Sequence, residues 1–121
     1  WIVSSPARRA RASAKRVARA CGYVGELHVE SDLYGAGVQG YWRTVQHLPP
    51  QATIALIVGH NPDIEELVTS LSGQSISMPT AAVALFDLAI DTWNQVHPAC
   101  ATLHGVLLTN DLRSFDVFPR S

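Results

Sequence analysis

His60, Asn61 and Pro62 stand directly after the apolar run at residues 54–58. Such a run is typical of a strand covered on both faces, and Asn61-Pro62 predicts the start of a helix. In open α/β sheets ligands bind beyond the carboxyl ends of the strands, and a helix N-terminus attracts anions. His60 and Asn61 are therefore candidate phosphate ligands, although a packing histidine bonded to a backbone carbonyl is an equally open interpretation.

A second turn of this kind follows residues 1–4, which read as a short buried strand. Ser5 and Pro6 predict a helix N-cap with proline at the first helical position. Arg8 and Arg9 then fall in the first turn, where a cation opposes the helix dipole. Capture of a phosphate by the Arg9 guanidinium explains that placement, and a solvated basic face is the alternative.

Basic residues concentrate in this helix, which holds six of the nine lysines and arginines: Arg8, Arg9, Arg11, Lys15, Arg16 and Arg19. A nucleic-acid-binding helix is one hypothesis for such a cluster. Against it, aromatic residues are not interleaved with the charges and the formal net charge is −1. We therefore expect no nucleic-acid partner, and read the later cations of the helix as a solvated face.

Several enzyme classes are excluded by the motifs that the chain lacks. It has no GxSxG elbow of serine hydrolases and no glycine-rich loop that ends in Gly-Lys-Ser or Gly-Lys-Thr. His28, His47, His97 and His104 show no metal-ligand spacing such as HExxH. We expect no metal, no cofactor, and packing or surface roles for these four histidines.

The pattern of apolar residues predicts an α/β sheet with helices on both faces. Glycines 22 and 73 are expected to end the first and last helices, and Pro49-Pro50 to end the middle one. The predicted strands are residues 1–4, 27–29, 54–58, 81–90 and 101–108, and the apolar stripes of the helices lie at 7–21, 41–48 and 64–71.

Length and composition indicate one ordinary globular domain. The chain has 121 residues, of which 47% are apolar, and no apolar run approaches the roughly 20 residues of a membrane helix. Cys21 and Cys100 lack CxxC spacing, so a reducing compartment, the cytoplasm, is expected. The chain begins at Trp1, within a predicted strand, so we expect it to start inside a domain. No feature predicts an oligomeric state.

Two motifs together resemble the histidine phosphatase superfamily, and specifically its small SixA-type phosphohistidine phosphatases. They are "SPxxRA" at residues 5–10 and "VGHNP" at residues 58–62, of which the second is the more specific. "DLYGAG" at 32–37, "PTAAVALFD" at 79–87 and Trp93 also fit, so the resemblance covers nearly the whole chain. It implies a three-layer αβα fold with a phosphoglycerate-mutase-like sheet.

The resemblance also implies roles for individual residues. Arg9 and His60 correspond to catalytic residues of the phosphate pocket, where they hold the phosphoryl oxygens and stabilise their charge during transfer. The family's nucleophile is a histidine in an Arg-His-Gly or Arg-His-Ala motif that ends the first strand, and no such motif occurs here. Residues 1–121 are therefore expected to form an N-terminally truncated domain that lacks its first strand and helix.

The expected function is that of a phosphatase acting on phosphohistidine, or on another phosphomonoester, through a phosphohistidine intermediate. Its partner would be a phosphorylated protein or a small phosphomonoester, and the chain alone would be inactive. A non-catalytic phosphate-binding or regulatory domain without the nucleophile is the alternative. Larger relatives use a carboxylate as general acid, for which Glu26, Glu30 and Asp32 lie in the right region, although solvated loop carboxylates are the other interpretation.

Overall fold

A computed structural model describes residues 1–79 and 82–108, which form a mixed α/β structure. Two short 3₁₀ helices, Ser31–Leu33 and Trp93–Gln95, interrupt the loops. None of the helices in the described part of the chain is long and apolar enough to cross a membrane. The helices are α1 (Arg8–Cys21), α2 (Gly37–Gln46) and α3 (Asp63–Ser72), and the strands are β1 (Ile2–Ser4), β2 (Leu27–Val29), β3 (Leu56–Val58), β4 (Ala82–Leu88) and β5 (Ala101–Leu108).

The first three strands form a parallel sheet in the order β2-β1-β3. Ser4, the last residue of β1, pairs with Val29 of β2 and with Val58 of β3. All three strands therefore end at one edge of the sheet. The two sequence motifs lie at the turns that follow β1 and β3. Because these two strands are neighbours in the sheet, the two turns lie next to each other.

The last two strands form a separate antiparallel pair, with a register shift between Leu85 and Phe86. The described residues therefore form two sheets and not the single sheet predicted from the sequence, since β4 does not pair with β3 or with any other strand of the parallel sheet. The phosphoglycerate-mutase-like three-layer arrangement is not confirmed. Of the strand predicted at 81–90, residue 81 lies outside the described residues and β4 spans Ala82–Leu88.

The helix boundaries agree with the glycine signals but not with the predicted N-cap. Gly22 and Gly73 adopt left-handed backbone conformations directly after α1 and α3, with φ of 68° and 72°, as expected for C-terminal caps. Helix α1 begins at Arg8 with Ala7 as its N-cap. Ser5 does not cap it because its N–H still donates to Val58 O of β3, at 2.9 Å, which keeps the chain extended.

Side chains from the two faces of the parallel sheet enter different apolar clusters. Leu56 packs with Val17 of α1, whereas Ile57 packs against a cluster that contains Tyr41 of α2 and Leu67 of α3. Neighbouring residues of a strand point to opposite faces, so α1 covers one face and α2 with α3 covers the other. This part of the sequence-based expectation is confirmed for the parallel sheet.

Candidate functional site

His60 and Ser5 meet at the carboxyl edge of the parallel sheet. His60 follows β3, Ser5 follows β1, and the Ser5 Oγ lies 2.7 Å from His60 Nε2. The Ser5 side chain is fully buried. A hydrogen bond between residues 55 positions apart thus joins the two motifs that the sequence singled out.

Tyr41 holds the backbone of His60. The His60 N–H donates to the Tyr41 hydroxyl at 2.9 Å, and that hydroxyl donates to Leu33 O at 3.3 Å. Burial raises the pKa of Tyr41; the hydrogen bond from His60 opposes this rise, and the negative charge of Asp63 adds to it. The Tyr41 hydroxyl therefore stays protonated and links α2 to the end of β3.

Gly59 makes this contact possible. A Cβ atom at position 59 would lie 2.0 Å from the Tyr41 hydroxyl oxygen and 2.6 Å from its ring. Any side chain would therefore push Tyr41 away from the His60 N–H. The glycine of "VGHNP" is thus explained by the close approach of a tyrosine.

Tyr34, from the "DLYGAG" segment, packs edge-on against the imidazole of His60. The two ring centroids are 5.7 Å apart and the planes are inclined by 84°. Tyr34 is 63% exposed, so it covers one side of His60 while it faces solvent. The loop before α2 therefore contributes to the surroundings of His60.

Arg9 lines the same cavity as His60 and Asn61. It is exposed and lies in the first turn of α1 beside Arg8, as predicted, and that turn contains no acidic residue. The first N–H groups of a helix have no intrahelical acceptor. The start of α1 therefore combines the Arg9 guanidinium at the cavity with backbone donors, which favours an anion.

Asn61 has a structural contact as well as its predicted role. Its Nδ2 donates to Met78 O at 2.7 Å, and the Met78 N–H donates to the Glu65 carboxylate at 2.9 Å. Asn61 and Glu65 thus hold the segment before β4 from both sides of Met78. The side chain of Asn61 is exposed and retains a second N–H and its carbonyl oxygen, so substrate binding by Asn61 stays a prediction.

The N-terminus of α3 is less favourable to an anion than the sequence motif suggested. Asp63, Glu65 and Glu66 all lie in its first turn, where their negative charges already complement the helix dipole. The Ile64 N–H donates to His60 O at 2.8 Å, so it is not available to a ligand. The start of α1 is the more electropositive of the two helix ends at this edge of the sheet.

A cavity of about 1430 Å³ opens beside His60, between β3 and β4. Every residue of 53–61 and of 82–88 lines it, and no residue of β5 does in the described part of the chain. A strand that turned one face to a cavity would contribute alternate residues. Because consecutive residues of both strands line the cavity, β3 and β4 face it with their edges. Apolar residues of α1 and α3 line its two other sides.

The free edge of β3 carries unpaired backbone groups. The Leu56 N–H donates to Trp1 O, and Val58 O accepts from the Ser5 N–H, each at 2.9 Å. Because backbone groups alternate along a strand, the N–H and C=O of Ile57 point to the opposite edge, into the cavity. Within residues 1–79 and 82–108 no strand pairs with that edge.

The predicted candidates for a general acid are absent from the lining of the cavity at His60. Glu30 accepts a hydrogen bond from the Asp32 N–H, and Asp32 pairs with Arg43 at 3.3 Å. Neither these two residues nor Glu26 lines the cavity at His60. Their contacts agree with the interpretation of these carboxylates as local loop residues.

The other histidines and the cysteines take no part in the site. His28 stacks on Trp1, His104 pairs with Asp87, and Nδ1 of His47 and of His97 lies within hydrogen-bond distance of a backbone carbonyl. Cys21 and Cys100 are free thiols. In the described ranges no cluster of histidine, cysteine or acidic residues is arranged to hold a metal ion.

Sequence reasoning missed Tyr41, Tyr34 and the contact of Ser5 as parts of this site. Tyr41 had the spacing of a core residue, and Ser5 that of a helix cap. Only the turn residues of "DLYGAG" gave a signal near Tyr34.

No protein-family model matches the chain, and neither do curated proteins nor solved structures.

Proposed function

We propose that this chain is the larger part of a SixA-type phosphatase of the histidine phosphatase superfamily, acting on phosphohistidine or another phosphomonoester. The observation that carries the proposal is the 2.7 Å contact between Ser5 and His60. It brings "SPxxRA" and "VGHNP" to one edge of the sheet, with Arg9 on the same cavity. The substrate is a phosphorylated protein or a small phosphomonoester, and no nucleic acid is involved. The two free cysteines fit a reducing compartment such as the cytoplasm.

In the proposed site Arg9 and His60 bind the phosphoryl oxygens. The Arg9 guanidinium supplies paired donors in a planar fork, and His60 supplies a ring N–H. The first backbone N–H groups of α1 point the positive end of the helix dipole at the same place. These groups stabilise the charge of the oxygens in the transition state, which is the main contribution a protein makes to phosphoryl transfer.

The nucleophile belongs to a strand outside the 121 residues, and we infer that this strand occupies the cavity between β3 and β4. Its backbone would pair with the free edges of both strands, and its apolar side chains would contact α1 and α3. Five residues of strand occupy about 17 by 4.8 by 10 Å, or roughly 800 Å³, which the cavity of about 1430 Å³ accommodates. Insertion would join the two sheets into one three-layer, phosphoglycerate-mutase-like sheet.

A strand parallel to β3 in this position would end beside His60 and Arg9. A histidine at that end attacks the phosphorus of the substrate, so a bond from phosphorus to its ring nitrogen forms while the bond to the leaving group breaks. Water then attacks the same phosphorus, the phosphorus–nitrogen bond breaks, and phosphate leaves with the histidine regenerated. The chain without this strand is expected to bind phosphate and not to turn over.

A non-catalytic phosphate-binding or regulatory domain is the second candidate. The observation in its favour is that His60 is the one histidine that lines the cavity among the described residues, and its Nε2 is already engaged by Ser5. Such a domain would bind phosphate with Arg9 and His60 and would have no catalytic strand.

Two measurements test these proposals. Calorimetry should detect phosphate binding by the 121-residue protein, weakened at least tenfold by Arg9→Ala and unchanged by Arg19→Ala, a matched arginine in the last turn of α1. In the second measurement an apolar peptide that ends in Arg-His-Gly is added to the protein, and the hydrolysis of a phosphohistidine peptide is monitored. A peptide that ends in Arg-Ala-Gly is the control.

The outcomes separate the two candidates. Turnover only with the histidine-containing peptide supports the phosphatase. Phosphate binding with no turnover, when the added peptide is shown to bind, supports the non-catalytic domain. Absence of phosphate binding by the folded protein would contradict both. Turnover by the chain alone that His60→Ala abolishes would show that the nucleophile is wrongly assigned.

A further inference from the structure

Ser5 is in a position to decide which nitrogen of a neutral His60 ring carries the proton. Its hydroxyl oxygen lies 2.7 Å from Nε2 of His60 and accepts a hydrogen bond from the Ala7 N–H at 3.3 Å. The side chain is fully buried, so water does not reach the hydroxyl. The hydroxyl proton must therefore find its acceptor among protein atoms.

His60 Nε2 is the acceptor that the described residues offer to this proton. The other contact of the hydroxyl is with the Ala7 N–H, which is a donor. If Nε2 carried the ring proton instead, the Ser5 hydroxyl would receive two donors and its own proton would have no acceptor. A neutral imidazole has one N–H and one acceptor nitrogen. A neutral His60 ring that accepts the Ser5 proton at Nε2 therefore carries its own proton on Nδ1.

We propose that Ser5 is a positioning residue that fixes neutral His60 in the tautomer with the proton on Nδ1, so that Nδ1–H is the donor presented to an anion. The backbone contact to Tyr41 and the edge contact with Tyr34 hold the same ring. Among the described residues Nδ1 of His60 has no hydrogen-bond partner, which leaves it available to a ligand. The assignment of that anion as a phosphoryl group rests on the proposed function, whereas the tautomer does not.

This arrangement serves a site in which the neutral form of His60 binds phosphate. A neutral histidine presents an N–H donor to the ligand only if the ring nitrogen that faces the ligand carries the proton. Without the Ser5 hydroxyl both tautomers become accessible, and the one with Nδ1 unprotonated turns a lone pair toward the phosphoryl oxygens. We expect phosphate binding to weaken roughly two- to tenfold in Ser5→Ala, the range of one hydrogen bond.

Nitrogen-15 NMR of the imidazole rings tests the proposal at a pH of about 8, where an unperturbed imidazole is neutral. The signals of His60 are identified by their loss in His60→Gln. We expect a protonated Nδ1 in the wild-type protein, a mixture of tautomers in Ser5→Ala, and the wild-type pattern in Ser4→Ala. Ser4 is the matched control because its hydroxyl is equally buried but donates to Ser5 O, at 2.9 Å.

A protonated Nε2 in the wild-type protein would overturn the proposal, as would a Ser5→Ala variant that keeps the wild-type tautomer. If Ser5→Ala does not fold, the wild-type spectrum still decides the protonated nitrogen. Addition of inorganic phosphate separates this proposal from the function. A protonated Nδ1 that phosphate does not perturb would support the role of Ser5 while it contradicts phosphate binding at His60.

Discussion

The hydroxyl of Tyr41 accepts a hydrogen bond from the backbone N–H of His60 at 2.9 Å, across 19 residues of sequence. Tyr41 is fully buried and lies on α2, whereas His60 follows β3 at the edge of the sheet. The position of the candidate catalytic ring is thus tied to the core of the domain. Changes at Tyr41 and at its contacts test this link.

Tyr41→Phe should destabilise the protein by about 1–3 kcal/mol, because it leaves the His60 N–H and Leu33 O without their partner. Urea unfolding provides the measurement. Tyr23→Phe is the matched control: its hydroxyl also donates to a backbone carbonyl, Glu26 O at 2.7 Å, but in an exposed location, so a change below about 0.5 kcal/mol is expected. Equal losses in the two variants would contradict the anchoring role of Tyr41.

Gly59→Ala should destabilise the protein by about 1–3 kcal/mol, since the added methyl group overlaps the Tyr41 hydroxyl and either the ring or the end of β3 must shift. Gly105→Ala, in β5, is the control because a Cβ there meets nothing within 4 Å. Thermal unfolding of both variants gives the comparison. A Gly59→Ala protein as stable as the control would show that Tyr41 is not packed against the backbone of residue 59.

The raised pKa of Tyr41 predicts a loss of stability in alkaline solution. Burial favours the neutral phenol in the folded state, so its pKa lies above the ordinary value of 10.0. The unfolded chain then loses this proton first, and the free energy of unfolding falls as pH rises from about 10 through the folded pKa. Below about pH 10 this contribution is fully present.

Unfolding measured across this alkaline range in the wild type and in Tyr41→Phe isolates the effect. The variant should lack the part of the decline that Tyr41 causes. Ultraviolet difference spectra should show one tyrosinate fewer in the variant than in the wild type. The additional tyrosinate of the wild type should form at a higher pH than that of a free tyrosine. Identical pH profiles would contradict burial of the hydroxyl.

Asn61→Ala should lower the free energy of unfolding by about 1 kcal/mol through loss of the hydrogen bond to Met78 O. Asn94→Ala, at an exposed asparagine, should change it by less than about 0.5 kcal/mol. Chemical denaturation measures both. Loss of phosphate affinity with no loss of stability in Asn61→Ala would instead assign this side chain to substrate binding.

Local signals in the sequence determined the elements and the candidate residues. The apolar spacing of α1, the glycines at 22 and 73 and the apolar run before His60 depend on contacts within a few residues, so their predictions hold in the structure. Arg9 and His60 were predicted for the same reason, since His60 lies just beyond the end of β3 and Arg9 lies in the first turn of the helix that follows β1.

Tertiary structure alone decided how these residues are held. Ser5 was predicted as a helix cap, but its N–H donates to a carbonyl of β3 and its hydroxyl forms a hydrogen bond with His60. The spacing of Tyr41 in the sequence was that of any core residue. No local sequence pattern indicated that β4 does not pair with β3. Each of these features depends on groups far apart in sequence, whose pairing follows from the packing of whole elements and not from the preference of any one segment.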